Sequence, residues 1–237
     1  MIEKKVILIP DIHGKSFWKN ALEFIKSDFP VIFLGDYTDP YISDNISHLE
    51  ALKNFKEILE TTKNRKNVEL LVGNHDIAYI FPDDIRNRNR TDFNNFPLLQ
   101  KLYQSNIDRF KLAIQKEGYI ISHAGINKGW LDFSKITTQD LINIPLSQIL
   151  KKVIDNLEVL SYYRDEDWGS DFGSIVWADI LEFKDKTNNI KANQIVGHSK
   201  RPNPIRIGDV VDIDCDRCFY IDGEGDIRDL ISNEVVL

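Results

Sequence analysis

Long apolar runs are missing from this sequence of 237 residues. A membrane-spanning helix needs about 20 consecutive apolar residues, and no stretch approaches that length, so no membrane partner is expected. Basic charge is also short: 30 Lys and Arg stand against 37 Asp and Glu, a formal net charge of −7. A surface for nucleic acid needs the opposite balance, so a nucleic-acid partner is not expected either. Cysteine is nearly absent, with Cys215 and Cys218 alone. Their CxxC spacing lacks the second Cys/His pair of a tetrahedral zinc site and lies between strand-like runs, not at the start of a helix as a redox dithiol would. Two reduced thiols beside a turn at Asp216 and Arg217 are the expectation. The few apolar residues between Lys5 and Asp11 are too short for a signal-peptide core, which points to the cytoplasm.

What is present reads as an ordinary globular chain, 42% hydrophobic and 28% charged. With no repeat and no linker, a single domain over 1–237 is expected. Val6–Ile9, Val31–Leu34 and Val68–Val72 are short β-branched or aliphatic runs of the kind buried on both faces of a sheet. Helical patterns from Ser16 to Lys26 and from about Asp44 to Glu60 separate them, so the order βαβαβ predicts parallel strands with right-handed crossovers. Mostly helical insertions are expected around 81–117 and 126–185, including a helix from about Ser147 to Tyr162. Further strands are predicted at Tyr119–Ile121 and Gln194–Val196. Short alternating runs after Ile205 predict hairpins turning at Gly208-Asp209 and Gly223–Asp226. Strand–helix units first and hairpins last predict an α/β fold: a two-sheet β-sandwich flanked by helices, four layers in the order α/β/β/α.

Four of the five histidines follow such runs, in Asp11-Ile12-His13-Gly14, Gly73-Asn74-His75-Asp76, Ser122-His123-Ala124-Gly125 and Gly197-His198-Ser199. Gly35-Asp36-Tyr37-Thr38-Asp39 adds carboxylates in the same kind of place. Ligands in such sheets gather where the strands end. Asp11, His13 and Asp36 suit one divalent ion; Asn74, His123 and His198 suit a second, with Asp36 bridging. Mixed N and O ligands without thiolate favour manganese, iron or zinc. Two close ions clamp phosphate oxygens and acidify a bridging water toward hydroxide, which attacks phosphorus. His75 is then the proton donor to the leaving alkoxide, with Asp39 fixing its tautomer. Each segment alone is weak; the five together are not. His48, in the polar part of a helix, receives no role. Gly35, Gly73 and Gly197 are read as allowing sharp turns from strand to loop.

The ordered set PDIHG, GDYTDP, GNHD, SHAG and GHS resembles the calcineurin-like metallophosphoesterase superfamily. Within it the set is similar to the phosphoprotein phosphatase branch, whose bacterial relatives include phage-type protein phosphatases and diadenosine tetraphosphatases. The resemblance spans about residues 5–231. It implies a bimetal site of manganese, iron or zinc held by Asp11, His13, Asp36, Asn74, His123 and His198, the proton-donating pair His75 and Asp39, and hydrolysis of a phosphoester without a covalent intermediate. Ser174–Asp179 resembles the family segment that sets a Trp and an Asp near the site; the alternative is a core Trp177 beside an exposed Asp179. There are departures. Pro40 stands where the family has an arginine that grips the phosphate, and no Arg follows Asp179 until Arg201. Asp76 stands where Glu is common, and Lys200 replaces a second histidine in the last motif.

Arg86, Arg88, Arg90, Arg164 and Arg201 are candidates to bind substrate in place of the missing clamp; solvated surface is the plainer reading of these charges. The expected partner is a phosphorylated substrate, either phosphoserine or phosphothreonine in a protein or a dinucleoside tetraphosphate. Tyr37, Trp130, Tyr162, Trp168 and Trp177 would stack on a base in the second case, though aromatics at this level are more often core. A non-catalytic phosphate- or partner-binding module is the rival from another class.

Overall fold

The computed structural model describes residues 3–81, 90–152, 160 and 172–237. Two sheets form its centre. The first takes strands β1 (Lys4–Ile9), β2 (Val31–Phe33), β3 (Val68–Leu71), β4 (Phe110–Lys111), β10 (Phe219–Asp222) and β11 (Ile227–Asp229), in the order β11-β10-β1-β2-β3-β4. β1 to β4 are parallel neighbours, and β10 returns antiparallel to β1. The second sheet takes β5 (Ala113–Lys116), β6 (Tyr119–Ser122), β7 (Gln194–Val196), β8 (Ile205–Ile207) and β9 (Val210–Asp212), in the order β5-β6-β7-β9-β8. Its middle strands β6, β7 and β9 are parallel.

Side chains on successive strand residues point to opposite faces, and both faces of β1 are buried. Val6 and Leu8 join Ile32, Leu34 and Leu71 in one cluster with Ile121, Ile195 and Val211 of the other sheet, so this layer is the sandwich interior. Ile7 and Ile9 face the other way. They pack with Trp18, Ile25, Phe55 and Ile58, carried by the segment that follows β1 and by helices α1 (Leu22–Lys26) and α2 (His48–Thr61). Ile180 and Phe183, in a short 3-10 turn, cover Val196 and Val210 on the outer face of the second sheet. Each such side chain contributes about 1.5–3 kcal/mol by leaving water. The expected arrangement of two sheets flanked by helices is thus the fold. Among the described residues no helix is long and apolar enough to cross a membrane.

Local differences from the sequence reading have local causes. The Ser16–Lys26 helix is a 3-10 turn (Phe17–Ala21) running into α1, and the Ser16 side chain caps nothing. α2 begins at His48, not Asp44, because Ser47 and Glu50 form a capping box. The helical reading up to Glu117 is corrected most. Helix α4 (Phe96–Ser105) ends well before Glu117, and Phe110–Lys111 and Ala113–Lys116 are the strands β4 and β5. The described residues also include helix α3 (Asn74–Ile80) and two short helices after β6, α5 (Lys128–Ser134) and α6 (Leu146–Lys152). α6 starts where the predicted Ser147–Tyr162 helix does. Its continuation lies outside the described residues, apart from Leu160, which is a buried turn residue.

Candidate active site

β1, β2 and β3 end side by side, so the segments carrying Asp11, Asp36 and Asn74 leave the first sheet at one edge. β6 and β7 deliver His123 and His198 to the same place. Backbone hydrogen bonds lock the first two loops together: the Ile12 and His13 N–H groups donate to the Asp36 carbonyl at 3.2 and 2.7 Å, and Gly14 N–H to that of Tyr37 at 3.1 Å. His13, Asp36, Asp39 and His198 all adopt positive φ, at 43°, 51°, 57° and 74°. Non-glycine residues seldom take that conformation, and it gathers where a surrounding structure holds a functional side chain in place. Gly73 and Gly197 have a different use from the sharp turn expected of them. A Cβ at Gly73 would overlap the Asp36 carboxylate and the His123 ring, and one at Gly197 would overlap Asp11.

The structure brings Asp11, His13, Asp36, Asn74, His123 and His198 together, nearly all fully buried. Asp11, His13 and Asp36 form one trio with donor atoms within 4.8 Å of each other; Asp36, His123 and His198 form another. Asp36 Oδ2 lies 3.5 Å from His13 Nε2 and 3.7 Å from His123 Nε2, while Asp36 Oδ1 accepts the His75 N–H at 2.9 Å. Both ring tautomers follow from the backbone. His13 Nδ1 faces the carbonyls of Thr38 and Asp39 at 3.1 Å, and His123 Nδ1 faces that of Leu34 at 2.9 Å. Each Nδ1 therefore carries the proton and each Nε2 turns its lone pair inward. His123 Nε2 meets Asn74 Oδ1 at 3.1 Å and His198 Nδ1 at 3.2 Å. One oxygen of Asp11, Oδ1, is buried with no hydrogen-bond donor among the described residues.

Converging lone pairs and buried carboxylates repel one another unless a cation lies between them. Burial, with the charges of Asp214 and Asp36, holds the Asp11 carboxyl well above the ordinary range, and burial lifts Asp36 to about 6. Burial also lowers His13 and His198 and brings His123 to about 4, so these imidazoles are neutral ligands at neutral pH. The donor set fits two divalent cations sharing Asp36.

The sequence profile of calcineurin-like phosphoesterases matches residues 4–210. The chain belongs to the calcineurin-like phosphoesterase family. It is a metal-dependent phosphoester hydrolase. Among solved structures it is similar to a protein serine/threonine phosphatase from Saccharomyces cerevisiae, itself described as similar to human phosphatase PP5. That likeness has a TM-score of 0.52 at 13% identity and covers 94% of this chain and 74% of the other. No curated protein sequence matches.

Beside these candidate cation ligands the phosphoesterase carries a second hydrogen-bonded group. His75 Nδ1 lies 3.1 Å from Asp39 Oδ2, and the other Asp39 oxygen accepts the Tyr79 hydroxyl at 2.5 Å. Tyr79 in turn accepts the Asp92 N–H at 2.8 Å. Burial works against a charged His75 ring, but the carboxylates of Asp36 and Asp39 outweigh it and raise its pKa. Arg90 Nη2 donates to His75 Nε2 at 2.9 Å. Arg90 is thus one of the predicted arginines, and it lies against His75. The Arg201 backbone N–H donates to the Asp214 carbonyl, and its side-chain charge acts on Asp212, while its Nε is buried with no acceptor among the described residues. Arg86, Arg88 and Arg164, with Tyr162 and Trp168, lie outside the described residues. Trp177 stands edge-on to His198 at 5.7 Å, whereas Asp179 caps the Ile180–Lys184 turn through the Leu181 N–H. Tyr37 and Trp130 are fully buried and serve the core.

Two neighbours were missed by the sequence reading. Tyr79 had a usable signal, since it lies four residues after His75 and so shares its helix face. Tyr41, edge-on to His13 at 4.7 Å, had none beyond standing two residues after Asp39.

Proposed function

We propose that this phosphoesterase hydrolyses phosphomonoesters, with phosphoserine or phosphothreonine in proteins as the substrate, at a pair of divalent cations. Asp11, His13 and Asp36 hold one ion, and Asn74, His123 and His198 the other. Manganese is the favoured metal, with iron or zinc as substitutes. The observation that carries the reading is the position of Asp36, whose Oδ2 faces both histidine trios while its other oxygen is fixed by the His75 N–H. Bound here, the two ions supply Lewis-acid charge for phosphoryl oxygens and an acidified water as nucleophile.

The chain's own residues do the rest. Hydrolysis joins the water oxygen to phosphorus and breaks the bond to the ester oxygen, which leaves as an alkoxide in need of a proton. His75 Nε2 donates it, and Asp39 keeps the ring oriented and favours its charged form. The buried ligand loops keep bulk water away and hold each donor in place without reorganisation.

Charge near the site favours a single phosphoryl group over a polyphosphate chain. Lys15 Nζ lies 2.7 Å from Asp44 and 3.0 Å from Asp216, and Lys200 Nζ lies 3.8 and 3.3 Å from the same two carboxylates. Among the described residues these two lysines are matched by two aspartates, which leaves Arg90 as the cation for a single phosphoryl group and no line of charge to follow a chain of phosphates. The buried free thiols Cys215 and Cys218 suit a reducing compartment, so we place the enzyme in the cytoplasm.

A panel of p-nitrophenyl phosphate, phosphoserine and phosphothreonine peptides, and dinucleoside tetraphosphates, each with Mn²⁺ and with chelator, tests this. Turnover of the aryl phosphate and the peptides with Mn²⁺, abolished by chelator, is expected. Turnover of the dinucleotides alone would reassign the substrate. Metal binding without turnover of any ester would leave a binding module.

A further inference from the structure

Four side chains close a ring beside the cation ligands. The His13 ring meets Tyr41 at 4.7 Å, and the Arg90 guanidinium carbon lies 3.8 Å from the Tyr41 ring centroid. Arg90 Nη2 reaches His75 Nε2 at 2.9 Å, and the His75 ring lies 5.2 Å from that of His13. His13 and His75 are buried; Tyr41 and Arg90 are half-buried and form the outer side. We propose that Tyr41 is a positioning residue whose ring carries Arg90 as the phosphate clamp of this site. The proposal rests on the phosphoesterase reading above.

The geometry supports it in three ways. A guanidinium stacked on an aromatic face keeps its N–H groups free in the ring plane, so the stack fixes the direction of the fork without consuming donors. Arg90 Nε is buried with no acceptor among the described residues, and Nη2 is satisfied only by a neutral imidazole nitrogen. A phosphoryl oxygen is charged and accepts more strongly from both. Once Arg90 turns to it, His75 Nε2 is released to take a proton from solvent, which Asp39 favours, and to face the leaving oxygen. Lys15 and Lys200 also approach the Tyr41 ring, at 5.4 and 4.6 Å, but each is tied to Asp44 and Asp216. Among the described residues Arg90 is the cation on this ring with no carboxylate partner. A second tether, from Asp92 N–H to Tyr79 to Asp39, fixes the Arg90 segment to the proton-donating pair.

The test titrates the Mn²⁺-loaded full chain with inorganic phosphate by calorimetry, for wild type, Arg90→Ala, Tyr41→Ala, Tyr41→Phe and the Arg90→Ala/Tyr41→Ala double variant. Thermal midpoints confirm that each is folded. Arg90→Ala should raise the Kd about tenfold or more, and Tyr41→Ala about 3- to 10-fold. The double variant should be no weaker than Arg90→Ala, since Tyr41 acts through Arg90. Tyr41→Phe, which keeps the ring, should recover most of the affinity. KM for p-nitrophenyl phosphate should follow the same order. Additive losses, a Tyr41→Phe variant as weak as Tyr41→Ala, or a phosphate affinity unmoved by Arg90→Ala would each overturn the clamp. Wild-type inactivity toward every ester would count against hydrolysis itself, and the phosphate titration would still decide the clamp.

Discussion

Replacing Asp36 by Asn keeps the shape of the side chain and its hydrogen bond from the His75 N–H, and removes the charge that both histidine trios face. Activity should fall by about 10²–10³, and metal analysis should find fewer ions per chain. Without metal, Asp36→Asn should be at least as stable as wild type in urea, because a carboxylate whose pKa burial lifts to about 6 is costly to keep. A variant that still gains stability from Mn²⁺ as wild type does would refute the shared role. His75→Asn should lose about 10²–10⁴ in rate on an alkyl phosphate, and far less on p-nitrophenyl phosphate, whose leaving group needs little protonation. Equal losses on the two esters would remove His75 as the acid. The residues in these predictions were readable in the sequence because each stands in or just after a strand end, where few side chains other than ligands recur. Tyr41 was not readable, and Tyr79 only as a residue on the helix face of His75, because tyrosine is an ordinary core residue and only the fold shows what its hydroxyl or ring meets. The arginines were readable as a group and not singly. Nothing in their spacing distinguishes Arg90, which lies against His75, from Arg201, whose charge acts on Asp212.

At the scale of elements, one carboxylate joins the ends of β2 and β3. Asp76, in the first turn of α3, accepts the N–H groups of Gly73 at 2.7 Å, Asp36 at 2.8 Å and Tyr37 at 3.1 Å, and the hydroxyl of Tyr103 from α4. Asp76→Ala orphans three buried N–H groups. At about 1–3 kcal/mol for each unsatisfied group, less relaxation, a loss of about 2–5 kcal/mol is expected. Urea unfolding measures it, and weaker Mn²⁺ binding should accompany it because Asp36 and Asn74 lose their common anchor. Tyr103→Phe removes one donor and leaves the rest, so its cost should be smaller and its Mn²⁺ affinity close to wild type. A larger effect from Tyr103→Phe would show that ring packing outweighs the anchor. The order of elements was legible up to α3, where each strand is a dense apolar run. It failed between Ser105 and Glu117, where Phe110, Leu112 and Ile114 alternate with Lys111, Ala113 and Gln115, and the apolar Ala113 blurs the period over a stretch too short to declare itself against the helix before it. Pairing decided the matter: Phe110 sits beside Leu70 in one sheet, and Ile114 opposite Ile121 in the other. Glu117 and Gly118, at φ of 49° and 81°, make the tight hairpin turn that was the overlooked signal.

The whole molecule concentrates negative charge where the two sheets meet, and its stability without metal should respond to pH in an unusual direction. Burial lifts Asp212 to about 8. Burial, with the charge of Asp216, lifts Asp214 to about 7, and burial with Asp36 does the same for Asp76, against an ordinary value of 3.8. Above pH 6.5 the unfolded chain has already released these protons, while the native protein still binds them. The native state then holds more protons than the unfolded one, so stability falls as pH rises toward 8. His75, raised by Asp36 and Asp39 against burial, acts in the same direction. His13, His123 and His198 act in the opposite direction, because burial depresses them, but their effect fades above 6.5 as the unfolded imidazoles finish losing their protons. The metal-free protein should therefore lose stability between pH 6.5 and 8, a range in which most globular proteins change little. Mn²⁺ should reverse the slope, since deprotonated carboxylates bind it better and the bound ion favours the native state. Urea unfolding across that range, with chelator and with Mn²⁺, measures both effects, and Asp212→Asn should flatten the chelator series. A metal-free stability that is level or rising from pH 6.5 to 8 would mean that these carboxyls are ionised in the folded chain. The acidic cluster behind Asp11 would then be better solvated than its burial implies.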